Sequence, residues 1–186
     1  MFLYEGKEYA RVSDILQAYC DFSGIDPDVL KAKAELGTQV HDAICSDVRD
    51  EFPYIPAKGH GYFKSYLKWK DELHPIFLQN EKRYFCNKKM LTGCIDAIVQ
   101  FGNAFPVLID FKTSAQESST WNLQGHLYYY LLKANSYDIS PNFLFLKLNT
   151  NGDFPTVYQY KYNRNIMAKM NKAIENFWST RKSDSH

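Results

Sequence analysis

Two charged residues stand two positions apart in an otherwise apolar run, Val107-Leu108-Ile109-Asp110-Phe111-Lys112-Thr113. The run reads as a buried β-strand, and alternation along a strand puts Asp110 and Lys112 on one face. Buried charges are costly unless they are paired or bind a metal. A second acid, Asp96, lies in the apolar run from Leu91 to Val99, fourteen positions before Asp110. A turn at Gly102-Asn103 folds these runs antiparallel and adjacent, so the two carboxylates face each other. Carboxylates at that range repel unless a cation sits between them, and hard oxygen ligands favour Mg²⁺ or Mn²⁺. The Phe111 carbonyl, between the two side chains, is a further oxygen donor. Beside such a cation the Lys112 ammonium can orient a water and stabilise charge building on a phosphate.

More residues can join this group. His41 lies on a long helical pattern, with Gly37 one turn earlier on the same face, where a missing side chain permits close approach of the sheet. Gln124 and Tyr128 are one helical turn apart. The glutamine can bind a phosphate or brace the lysine, and the tyrosine can stack on a base or pack in the core. Thr113 and Ser114, just past the lysine, are placed to bind a phosphate near the reaction. Plainer readings stand beside these. Asp110 and Lys112 alone read equally well as a structural ion pair, a histidine beside an apolar stripe is more often a core residue, and Tyr128 sits in a run of three tyrosines.

The elements that must position them follow from period and punctuation. Residues 2–9 suggest a small hairpin around Gly6. Ser13 is a candidate cap for a short helix over 14–19. A long helix is predicted from Pro27 to about Asp50 with the stripe Leu36, Val40, Ala43, Ile44 and Val48, and a second from about Tyr62 to Leu73. Strands follow over 82–86, 91–101 and 107–113, then a helix from Ser118–Thr120 to about Lys133, strands over 142–148 and 156–162, and a helix over 163–178. This order predicts one α/β domain over 1–178, with a central mixed sheet flanked by helices and a loose polar tail at 179–186.

The 186 residues suit one domain and are 45% hydrophobic, enough to fill a core. The net charge of +1 neither requires nor excludes a nucleic-acid partner. Two basic groups are candidates for phosphate contact, Lys58, His60, Lys64, Lys68 and Lys70, and Lys82, Arg83, Lys88 and Lys89. No apolar run is long enough to span a bilayer and no cationic-then-apolar leader opens the chain, so a soluble cytoplasmic protein is expected. Cys20, Cys45, Cys86 and Cys94 lack the paired spacing of a zinc or redox site and read as free thiols. No Gly-rich Walker loop is present, so no ATP site is expected.

In order, Gly37-x-x-x-His41, Gly93-x-x-Asp96, Asp110-x-Lys112 and Gln124-x-x-x-Tyr128 resemble the PD-(D/E)XK nuclease superfamily. More narrowly they resemble its RecB-type exonuclease branch, which includes phage-type and mitochondrial genome-maintenance exonucleases. The resemblance spans about residues 37–128. It implies a restriction-endonuclease-like core and divalent-metal cleavage of DNA. It implies metal binding by His41, Asp96, Asp110 and the Phe111 carbonyl, catalysis by Lys112, and support of the site or DNA by Gln124 and Tyr128. Glu81 matches an acid that some members carry before the Gly-x-x-Asp strand. Two departures are visible: no proline precedes Asp96, and the acid before the lysine is Asp110 rather than glutamate. The cysteines do not follow the pattern of iron–sulfur members, so no cluster is expected.

These readings converge on an Mg²⁺- or Mn²⁺-dependent deoxyribonuclease, most simply an exonuclease in recombination, repair or phage DNA processing. It would act alone, as an oligomer or beside a recombination or repair partner, on single- or double-stranded DNA. The rivals are a catalytically silent DNA-binding module of the same fold and a structure- or sequence-specific endonuclease.

Overall fold

The computed structural model describes residues 1–21 and 23–183. The opening hairpin pairs β1 (Phe2–Tyr4) with β2 (Lys7–Arg11). Helix α1 (Val12–Leu16) follows directly, so Ser13 lies inside its first turn rather than capping it. The Asp14 carboxylate takes the capping role instead, accepting the Arg11 N–H at 2.9 Å. Helix α2 (Pro27–Val48) starts where Asp26 accepts the Asp28 N–H at 2.8 Å and Pro27 supplies a preset φ. Helix α3 spans His60–Leu73.

Strand β3 (Ile76–Cys86) begins six residues earlier than the sequence suggests. Its first half carries Gln79, Asn80 and Glu81, a register shift at Phe77/Gln79, and a left-handed φ of 45° at Glu81, all of which hide the strand's alternation. Then come β4 (Leu91–Gln100), β5 (Val107–Lys112), α4 (Thr120–Ala134), β6 (Asn142–Lys147) and β7 (Thr156–Lys161). Helix α5 (Arg164–Ser183) runs five residues past its expected end at Trp178, into the segment expected to be a loose tail. The rest of that tail, 184–186, lies outside the described residues.

Among the described residues seven strands form one mixed sheet, as the fold class required. Strand β4 is its centre. Strand β3 lies antiparallel along one edge of β4 for its whole length. The other edge is shared. Strand β2 pairs in parallel at Leu91 and Thr92, and β5 pairs antiparallel at residues 97–99. Residues 93–96 fall in the gap between them. Strand β6 pairs in parallel with β5 through the α4 crossover, and β7 closes the far edge.

Helices cover both faces. Helices α1, α4 and α5 bury Val12, Ile15, Leu127, Leu131, Met170 and Ile174 on one. Helices α2 and α3 bury Val40, Ile44, Phe63, Tyr66 and Trp69 on the other. The aromatic side of α3, with Phe63, Tyr66 and Trp69, is packing. Strand β4 changes allegiance partway along. Leu91 and Ile95 pack with the first core, Ala97 and Val99 with the second. Simple alternation would keep Ile95 and Ala97 on one face. The change falls at Asp96, across the ladder from the left-handed Glu81.

Candidate active site

The fork between β4 and β5 gathers the chemistry-bearing residues. The last paired residues are Ala97 and Ile109, so Asp96 and Asp110 stand one step past the end of the ladder. The strands are held there by a side chain rather than by ladder bonds. The Phe111 N–H donates to Asp96 Oδ2 at 2.8 Å. Both acids are buried, Asp96 at 8% and Asp110 at 1% exposure.

Two groups meet at the fork. From the α2 side His41 enters, with Nδ1 3.4 Å from Asp96 Oδ2 and 3.5 Å from Glu81 Oε1. Ligand atoms of His41, Glu81 and Asp96 all lie within 4.8 Å of one another. His41 Nε2 is 2.9 Å from the Phe111 carbonyl, which can only accept, so Nε2 carries a proton and Nδ1 faces the acids. From the α4 side, Lys112 Nζ lies 2.6 Å from Asp110 Oδ1 and donates to Gln124 Oε1 at 2.9 Å. Gln124 Nε2 in turn donates to the Tyr128 hydroxyl at 3.0 Å. Asp110, Lys112, Gln124 and Tyr128 thus form one chain of polar contacts from strand to helix.

Both glycines of the motifs permit close approach. A β-carbon at Gly37 would lie 3.2 Å from Thr113 Oγ1, so α2 sits tight against the end of β5. A β-carbon at Gly93 would lie 2.8 Å from Tyr128 Cε1 and 3.0 Å from Val12 Cγ2, so Gly93 lets α4 lie on β4 and brings Tyr128 to the fork. Of the two residues past the lysine, Thr113 abuts Gly37, whereas the Ser114 hydroxyl donates to the Gln116 carbonyl at 2.9 Å.

The electrostatics are those of an overcrowded acid site. Burial, and then the charge of Asp96, push the Asp110 carboxyl up to about 7 against the opposing pull of Lys112. Burial alone would raise Asp96 too, but His41 and then Lys112 outweigh it and hold the carboxyl below its ordinary value. Burial would lower His41, yet Asp96 and then Glu81 hold its imidazolium well above the ordinary range. Burial, with Asp110 and Asp96 behind it, raises the Tyr128 hydroxyl.

Two clefts reach the fork from opposite faces. The α2-side cleft of about 310 Å³ is lined by Gly37, Thr38, His41, Asp42, Glu81 and Asp96. A larger cleft of about 600 Å³ on the other face passes Gln124 and Tyr128 and is walled by Arg11, Arg83 and Cys94. Of the expected basic groups, Lys68 pairs with Asp153 at 3.3 Å, Lys70 with Asp47 at 2.7 Å and Lys89 with Glu175 at 3.1 Å. Arg83, its guanidinium 4.2 Å from the Phe2 ring centroid, is the member that reaches the larger cleft. Arg11 joins this cleft with Gln124 although no motif marks it, because its place depends on the parallel pairing of β2 with β4. Cys94 is a free thiol, as expected, but it donates to Glu81 Oε2 at 3.3 Å, a contact its spacing does not announce. The signal for that contact is diagonal position across a β-ladder, readable only once the register is known.

The profile of the PD-(D/E)XK nuclease superfamily matches residues 14–182, so the chain belongs to that superfamily. The fold is similar to that of LHK-Exo solved in complex with dAMP, with a TM-score of 0.54 and 9% identity over 95% of this chain and 89% of that one. It is similar, too, to the alkaline exonuclease LHK-Exo from Laribacter hongkongensis in a second structure, with a TM-score of 0.51 and 9% identity at the same coverage. A comparison with curated protein sequences gave no match. Among the described residues no helix is long and apolar enough to cross a membrane.

Proposed function

We propose that the chain is a divalent-metal-dependent DNA exonuclease of the RecB-type branch, with residues 1–178 as one nuclease domain. The observation that carries this reading is the convergence of His41, Glu81 and Asp96 within 4.8 Å beside the buried Asp110–Lys112 pair. The donor set fits a divalent cation. It offers carboxylates and an imidazole, and the buried Asp96 and Asp110 carboxylates repel each other strongly enough to raise the Asp110 carboxyl. His41 supports the same fit, because a metal-ligating histidine commonly donates its other ring N–H to a backbone carbonyl, here that of Phe111.

His41, Glu81, Asp96 and Asp110 would hold one or two Mg²⁺ or Mn²⁺ ions, with the Phe111 carbonyl as an added donor. A bound ion would polarise the scissile phosphate and lower the pKa of a water. The residues of the chain do the rest. Lys112, kept in place by Asp110 and Gln124, orients the attacking water and offsets charge on the phosphate. Gln124 and Tyr128 set the position of the ammonium. Thr113 and Ser114 border the phosphate path, and the cleft past Arg83 and Arg11 gives a strand room to lie against Gln124 and Tyr128, which lead to Lys112. The likeness of fold to an alkaline exonuclease solved with dAMP supports DNA as substrate and end-directed cleavage. An exonuclease of this kind serves recombination, repair or phage DNA processing.

The test uses linear and covalently closed circular DNA, single- and double-stranded, with Mg²⁺, Mn²⁺ or EDTA. Metal-dependent release of mononucleotides from linear DNA alone is the expected result. Cleavage in EDTA, or of closed circles as fast as linear DNA, would overturn the metal or the exonuclease part respectively.

A further inference from the structure

We propose that Cys94 is a positioning residue for the cation site and acts through Glu81; the inference rests on the reading of Glu81 as a ligand. Cys94 on β4 stands opposite Arg83 on β3, which makes Glu81, two residues back, its diagonal neighbour across the ladder. Its Sγ donates to Glu81 Oε2 at 3.3 Å, and Glu81 Oε1 faces His41 Nδ1 at 3.5 Å. One oxygen is thus anchored on the thiol and the other is presented to the imidazole.

Glu81 needs such an anchor. Its φ of 45° is one that a residue with a β-carbon rarely adopts, and it persists where the surroundings over-determine it. Its side chain is 29% exposed, and a glutamate with that much solvent access has several rotamers to choose from. The thiol reaches it from the wall of the larger cleft, on the side away from His41 and Asp42. A cysteine in an apolar strand is otherwise a small core residue. This one spends its proton on a carboxylate of the site.

The test is direct titration of the full chain with Mn²⁺, reading free Mn²⁺ by electron paramagnetic resonance, so that binding is measured without turnover. Cys94→Ala is expected to weaken Mn²⁺ binding by roughly tenfold, as removal of a partner behind a ligand does. Cys94→Ser restores a donor and is expected to bind close to the unsubstituted chain, which also covers any failure of the alanine variant to fold. In a Glu81→Ala background the Cys94→Ala change is expected to add nothing, an outcome that a general packing role would not give. Unaltered binding by Cys94→Ala, equal loss in Cys94→Ser, or an additive loss in the Glu81→Ala background overturns the role of Cys94. Failure of the unsubstituted chain to bind Mn²⁺ overturns the cation-site reading beneath it, which separates the two.

Discussion

The Phe111 N–H donates to Asp96 Oδ2 at 2.8 Å where β4 and β5 part. The bond gives this buried acid of the candidate site a structural duty, because it closes the fork that the ladder leaves open. The same residue's carbonyl accepts from His41, so one residue on β5 orients both the acid from β4 and the histidine from α2.

The two duties of Asp96 separate by substitution. Asp96→Asn keeps an oxygen for the Phe111 N–H and loses the charge, so Mn²⁺ binding and cleavage are expected to disappear and, in EDTA, only the stability from its pairing with His41 and Lys112 is lost. Asp96→Ala leaves a buried N–H without a partner, and an added loss of about 1–3 kcal/mol in stability is expected. Denaturant titration of both variants, beside Mn²⁺ titration, checks this.

Asp110 gives a pH dependence in the metal-free protein. Its carboxyl is raised from 3.8 to about 7 in the fold, so the folded state binds more protons than the unfolded state between those values. Stability contributed here is therefore present at low pH and is lost as pH rises through about 7. Asp110→Asn removes the buried charge. In EDTA it is expected to stabilise the protein more at pH 8 than at pH 5, by about 1–3 kcal/mol, because most of the interval between 3.8 and about 7 lies above pH 5. Equal effects at both pH values would contradict the raised carboxyl.

Gln124 accepts from Lys112 at 2.9 Å and reaches Asp110 only through that ammonium. Gln124→Ala is expected to lower kcat by about tenfold, a barrier change of about 1.4 kcal/mol, with Mn²⁺ affinity unaltered. Single-turnover rates with saturating metal separate this from a binding defect.

Gly93 is a test of packing. A methyl group there meets Tyr128, Val12 and Leu131 at 2.8–3.1 Å, and these must shift. Gly93→Ala is expected to cost about 1–3 kcal/mol in denaturant unfolding and to lower activity through displacement of Tyr128.

Much of this architecture was legible because the hydrophobic period was clean where both faces of a strand are buried. The runs from Leu91 and Val107, and the Gly102-Asn103 turn between them, place Asp96 and Asp110 at the same level in the sheet. Polar residues and unusual backbone break the period elsewhere. Gln79, Asn80 and the left-handed Glu81 hide the first six residues of β3, and polar residues past Trp178 hide the last turn of α5. The paired motifs named the residues of the site, but their division between two faces depends on the change of core at Asp96. That change follows from the β3–β4 register, which no local pattern encodes. The same register joins Cys94 to Glu81, and the pairing of β2 with β4 brings Arg11 to the cleft.

The most direct measurement is single-turnover cleavage of end-labelled linear DNA by the unsubstituted chain and by Lys112→Ala, with Mn²⁺ binding followed in parallel. The expected result is metal-dependent mononucleotide release by the former, and a fall of about 10²–10⁴-fold for Lys112→Ala with Mn²⁺ still bound. Undiminished cleavage by Lys112→Ala, or cleavage that persists in EDTA, would contradict the assignment of this fork as the catalytic centre.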